Sequence, residues 1–75
     1  MDTKLHIGEQ IQQKLNEDGH SIAWFAREIN CERTNVYKIF KAKHINTERL
    51  LLICTVLEHN FFTHFCDYFE SVNDV

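Results

Sequence analysis

Arg33, Thr34, Asn35 and Lys38 bring a guanidinium, a methyl-bearing hydroxyl, a carboxamide and an ammonium into one short stretch. These groups match the edges of base pairs. A guanidinium donates bidentately to guanine O6 and N7, a carboxamide pairs with adenine N6 and N7, and a threonine methyl meets the thymine methyl. Such chemistry requires the four side chains to share one exposed face. A helix over 33–41 provides it, because Val36, Ile39 and Phe40 recur at the 3.6-residue period and take the buried side. The opposite side then presents Arg33, Thr34, Asn35 and Lys38.

Other reactive groups do not assemble by spacing. Cys31, Cys54 and Cys66 are odd in number and form no CxxC pair. Each falls in an apolar stripe or a turn, so buried, reduced thiols are expected rather than a disulfide. His6, His20, His44, His59 and His64 are scattered, and His59 and His64 lie five apart, off the i, i+4 spacing of a helical metal pair. No metal site, cofactor or catalytic grouping is expected. A domain this small has little room for a substrate pocket, so neither enzymatic activity nor a small-molecule ligand is expected.

Seventy-five residues make a single domain, 1–75, near the lower limit for a self-sufficient core. An apolar share of 44% is too high for disorder. There is no Pro, and both Gly residues, Gly8 and Gly19, fall near the start of the chain, so strand punctuation is missing. No apolar run is long enough to span a bilayer and MDTKLHIGEQ lacks a signal-peptide core, so a soluble, cytoplasmic chain with no membrane partner is expected. The formal net charge is −3, which at first argues against nucleic acid. Its distribution reverses that: between Arg27 and Arg49 six cations face three carboxylates, while the remainder holds two cations and eight carboxylates. A basic middle between acidic ends is the asymmetry of a small DNA binder.

The elements that position the polar face follow from caps and stripes. Helices are expected over about 6–18, 22–29, 33–41, 47–57 and 61–70, with a frayed tail over 71–75. Ile7, Ile11 and Leu15 mark the first, which stops at Gly19. Ser21 caps the second, whose stripe is Ala23, Phe25, Ala26 and Ile29. Asn30 tolerates the left-handed turn that ends it, and small Ala26 lets the third helix cross closely. Glu32 is a weak cap for the third. Asn46 caps the fourth, which reads as apolar nearly all round and hence central. Asn60 caps the fifth, where Phe61, Phe65, Tyr68 and Phe69 share a face with Phe62 beside it. Two short helices joined by a tight turn, Ser21 to Phe40, have the grammar of a helix-turn-helix. Five helices with short connections fit an all-α orthogonal bundle.

With these pieces in order, the chain resembles the phage-repressor/Cro-type helix-turn-helix family, the XRE family, over about residues 6–66. IGEQIQQKLNEDGHS resembles its opening helix and loop. FAREINCERTNVYKIF resembles its motif, with Phe25 and Ala26 at a Leu-Ala pair, Asn30 at a Gly, Cys31 at a small apolar residue and Val36 at an Ile. NTERLLLICTVLEHN resembles its fourth helix. The resemblance implies a lambda-repressor-like DNA-binding domain that binds specific sequences as a homodimer to regulate transcription. Arg33, Thr34 and Lys38 match base-reading positions, and Asn35 matches one that reads bases or phosphate.

Three departures matter. Many members carry a buried Arg paired with a Glu where this chain has Leu15 and Phe40; losing both partners of a buried pair together can be neutral or stabilising. Ile22 stands where a phosphate-binding Gln is common. Trp24 replaces a capping-box Glu, and either packs over the first helix or lies on a sugar-phosphate backbone. Phosphate contacts are expected from Ser21 with its helix N-terminus, and from Lys41, Lys43, His44 and Asn46 in and after the basic KAKHI loop. Tyr37 is expected at the edge, against a phosphate or the neighbouring loop. The aromatic surface of the fifth helix, namely Phe61, Phe62, Phe65, Tyr68 and Phe69, is expected to form a dimer interface on double-stranded DNA. The alternative is a protein-interaction module, such as an antitoxin that buries this helix in its partner.

Overall fold

Side-chain acceptors decide where the helices begin. The computed structural model describes residues 5–73, with side chains over 5–70. Helix α1 (Ile7–Glu17) starts after His6, whose Nδ1 accepts from the Glu9 N–H at 3.2 Å. Helix α2 (Ile22–Glu28) starts after Ser21, whose Oγ accepts from Trp24 N–H at 3.0 Å. Helix α3 (Arg33–Lys41) follows Glu32, which makes no side-chain cap bond. Helix α4 (Thr47–Leu57) follows Asn46, whose Oδ1 accepts from Arg49 N–H at 2.7 Å. Helix α5 (Phe62–Asn73) begins one residue later than its aromatic run, and Asn60 Oδ1 accepts from Phe62 N–H at 3.0 Å. Each bond satisfies a donor that the helix itself cannot. The described chain is all-helical and contains no strand.

Three helices stop by the same device. A residue of positive φ follows the last turn, and the two N–H groups there bond back to carbonyls five and three residues earlier. For α1 the residue is Gly19 (φ 74°), with His20 N–H on Leu15 O and Gly19 N–H on Asn16 O. For α2 it is Asn30 (φ 56°), with Cys31 N–H on Ala26 O. For α4 it is Glu58 (φ 51°), with His59 N–H on Cys54 O. The sequence signals the first two through Gly and Asn. Glu58 gives no such signal, because its side chain disfavours this backbone and packing imposes it.

The core is built from triplets. Ile7, Ile11 and Leu15 come from α1; Phe25 and Ala26 from α2, with Ile29 just after it; Val36, Ile39 and Phe40 from α3; Leu50, Ile53 and Leu57 from α4. Phe61 joins them at 0% exposure. Among the described residues no polar or charged side chain is buried. Leu15 and Phe40 both belong to this cluster.

Gly8 sets how closely α1 meets α3. Its N–H donates to Ala42 O at 3.0 Å, and a Cβ at this position would run into the backbone carbonyls of Ile39, Phe40 and Ala42. Backbone lies on backbone here, and only a residue without a side chain fits.

Four expectations are corrected. Phe61 is enclosed in the core and is not part of a surface aromatic patch, because it precedes α5 and points into the cluster. On α5 the protected side holds His64 and Tyr68, while Phe65 and Phe69 are exposed. Helix α4 is not buried all round: Leu50, Ile53 and Leu57 face in, and Leu51 and Leu52 face out. Finally, α5 continues through Asn73, so residues 71–73 are helical rather than frayed; residues 74–75 of the expected tail lie outside the described residues.

Gly8→Ala should destabilise the domain by about 3 kcal/mol, the upper end for overpacking, since three carbonyls must move. Chemical denaturation checks this, and a change below 0.5 kcal/mol would show that α1 and α3 separate easily. Leu15→Arg should cost roughly 3–5 kcal/mol by burying an unpaired cation. A Leu15→Arg variant that melts with the parent would place that side chain in solvent instead.

Candidate nucleic-acid interface

Helix α3 presents its polar groups outward because its apolar ones are fully used. Val36, Ile39 and Phe40 are in the core, and Arg33, Thr34, Asn35 and Lys38 are all exposed on the other side. The turn before it is closed by Asn30 and by the Cys31 N–H to Ala26 O bond at 2.9 Å. That bond fixes the direction in which α3 leaves α2. Buried Ala26 permits the close crossing expected of a small residue.

The remaining expected contact residues are also at the surface. Ser21, Lys41, Lys43, His44 and Asn46 are exposed. Ser21 Oγ and Asn46 Oδ1 accept as helix caps, which leaves the Ser21 hydroxyl hydrogen and the Asn46 Nδ2 group as donors for an anion beside the N-termini of α2 and α4. Tyr37 is half-exposed and stands edge-on to Phe40, ring centroids 6.3 Å apart. It therefore sits at the margin of α3. Trp24 packs against the core and stacks on His20, with centroids 3.7 Å apart and planes within 12°.

The cations of this region are not neutralised internally. The ion pairs among the described residues are His6 with Glu9 and Lys14 with Asp18, both at α1. None involves Arg33, Lys38, Lys41, Lys43 or Arg49. An unneutralised cation on a solvated face keeps its field available to an approaching polyanion.

One residue on this side had no assigned role in the sequence. Arg49, in the first turn of α4, lines a shallow hollow of about 310 Å³ together with Asn35, Lys38 and His44 and the apolar Ile39, Ala42 and Ile45. The signal was present, since Arg49 closes the basic stretch, but only the meeting of α3 and α4 joins it to Asn35 and Lys38.

The thiols and imidazoles differ from expectation in two ways. All three cysteines are free, and Cys31 and Cys54 are half-buried, but Cys66 is exposed because it lies on the outer side of α5. His59 and His64 do come together, with Nε2 atoms 3.0 Å apart. Helical spacing does not apply to them, because His59 lies in the connection before α5 and His64 within it. Burial, and secondarily the facing His59, hold His64 below its ordinary value of 6.5, while Asp67 pulls the other way. No group of three His, Cys, Asp or Glu side chains suited to a metal ion occurs among the described residues. Nor is any helix among them long and apolar enough to cross a membrane.

Comparison of the chain with protein-family models, with curated proteins and with solved structures gives no match.

Proposed function

We propose that the protein is a sequence-specific DNA-binding regulator of the Cro/repressor-like, XRE type, with a lambda-repressor-like orthogonal arrangement of its helices and with α3 as the recognition helix in the major groove. The observation that carries this is the exposed face of α3. Arg33, Thr34, Asn35 and Lys38 stand there together, within the net-positive segment of an otherwise acidic chain, and without an internal ion pair. Arg33 supplies two donors for a guanine edge, Asn35 a donor and an acceptor for an adenine edge, and the Thr34 methyl suits thymine. Lys38, one turn further along, reaches a base edge or the adjoining phosphate.

Phosphate binding orients this helix. The first turn of α4 meets α3 at the hollow they share, and the N-termini of α2 and α4, behind Ser21 and Asn46, each offer backbone N–H groups to an anion. Lys41 and Lys43 add charge and His44 a hydrogen-bonding ring, and Arg49 shares the hollow with Asn35 and Lys38. Such contacts set register and carry no sequence information.

A homodimer is part of the same proposal. Phe65 and Phe69 are 40% and 64% exposed, and Phe62 and Tyr68 are half-buried beside them. Phe61 is removed from this surface by its burial. A two-fold pair joined through these rings would set two recognition helices about one DNA turn, ~34 Å, apart on a palindrome. The same exposed rings favour the second functional class, an antitoxin-like module that buries α5 in another protein.

Selection of bound duplexes from a random library tests the central claim. Arg33→Ala, Asn35→Ala and Lys38→Ala should leave the fold intact, and loss of a bidentate contact should cost about 1–3 kcal/mol and relax one operator position. Lys43→Ala should weaken all sequences alike and lower the salt slope by about one. An unchanged consensus with Arg33→Ala would remove α3 from the groove. Sedimentation of the free protein and its DNA complex tests the dimer: a monomer in both, on a site without a repeat, excludes it.

A further inference from the structure

The connection between α4 and α5 holds two imidazoles face to face. His59 Nε2 and His64 Nε2 are 3.0 Å apart, and their ring centroids are 5.2 Å apart. A separation this short is a hydrogen bond, in which one Nε2–H donates to the other ring's Nε2. Both rings also lie on Phe61, His59 edge-on at 4.6 Å and His64 more nearly parallel at 5.7 Å. Phe61 is the residue that fastens this end of the chain into the core, where its own N–H donates to Cys54 Sγ at 3.4 Å. The imidazole pair thus closes over the point at which α5 is attached.

The bond has a defined proton requirement. One imidazole must keep a bare Nε2 to accept. A pair with no added proton satisfies this, and so does a pair carrying one, since an imidazolium can donate to a neutral ring. With two added protons no acceptor remains, and two cations face each other at hydrogen-bond distance. Histidine is the side chain for which this change falls in the ordinary acidic range.

The charged groups around the pair act in both directions. On α5, Asp67 favours the charged form of His64. On α1, Gln10, Gln13, Lys14 and Glu17 line the hollow next to the pair. Of these, Lys14 opposes a second cation and is itself bonded to Asp18 at 3.2 Å, while Glu17 accepts from Gln13 Nε2 at 3.2 Å. Burial adds to the cost of charging His64, and only one carboxylate on each of the two helices works against it.

We propose that the His59–His64 pair is an acid-released latch, which holds the start of α5 over Phe61 while at least one of the two rings is neutral and frees that helix when both are cationic. The sign follows from the closed state's reluctance to take the second proton. Closed and open forms bind protons alike well above pH 6.5. Below it the open form binds more, so acid favours opening. Because α5 also carries Phe65 and Tyr68, which line a hollow with Lys43 and His44, release of its first turn alters the neighbourhood of the basic loop.

Hydrogen exchange of α5 amides in the full chain, converted to opening constants at pH 7.5 and 5.0, tests the latch. In the wild-type chain the opening constant should rise at least threefold. The ceiling is about thirtyfold, set by one extra proton on a ring of ordinary pKa near 6.5. His64→Gln and His59→Gln each keep a hydrogen-bonding side chain that cannot charge. In either variant the constant should change less than twofold, with α1 amides as the internal reference for acid effects elsewhere. A wild-type opening constant that is the same at both pH values overturns the proposal. So does an acid response in α5 that survives in either Gln variant.

Discussion

The close approach of α1 to the end of α3 at Gly8 is the contact on which the rest of the domain depends. Missing one Cβ, α1 lies directly against the carbonyls of Ile39, Phe40 and Ala42, and the Gly8 N–H takes Ala42 O as its acceptor. That bond employs a donor from the first turn of α1, where no intrahelical partner exists, and a carbonyl beyond the end of α3. One orphan donor of α1 is therefore satisfied by the residue that ends α3. The approach also brings Ile7 and Ile11 within reach of the α3 stripe, so Val36, Ile39 and Phe40 are all covered. Once that stripe is covered, the opposite face of α3 has no option but solvent, and the polar quartet is displayed. Packing at one glycine and exposure of the proposed base-reading face are consequences of the same geometry.

Among the described residues the core holds no buried polar side chain, which simplifies its energetics. Stability comes from apolar area and shape, with no ion pair whose desolvation must be offset. In a chain of 75 residues this leaves little redundancy, because each of the four core helices delivers about three residues and Phe61 completes the set. Electrostatics are correspondingly confined to the surface. There they divide, with acidic character toward the ends of the sequence and unneutralised cations on α3 and the loop after it. Local charge density, rather than the overall charge of −3, governs what such a surface attracts.

The beginnings and ends of helices were largely legible in the residues. Ser21 and Asn46 cap where short side-chain oxygens precede an apolar stripe, and Gly19 and Asn30 stop helices because they tolerate positive φ. Glu58 shows the limit of that logic: the same stop occurs with a residue that gives no local sign of it. Helices α4 and α5 show another limit. Leu51 and Leu52 are as apolar as their buried neighbours, and five aromatic residues crowd one short stretch, so hydrophobicity alone could not say which of them face inward. Neighbouring helices made that choice, turning Phe61 and His64 in and leaving Phe65 and Cys66 out.

By itself the sequence determined five helical segments, the stripes that α1 and α3 bury and the polar quartet on α3, because these depend on periodicity and local backbone preference. Tertiary structure alone decided that Gly8 is a contact and not a spacer, that Arg49 joins Asn35 and Lys38 around one hollow, and that His59 meets His64. The reason is common to all three. Each depends on the distance between segments separated by a turn or by another helix, and that distance is set by how side chains of different helices fill one volume.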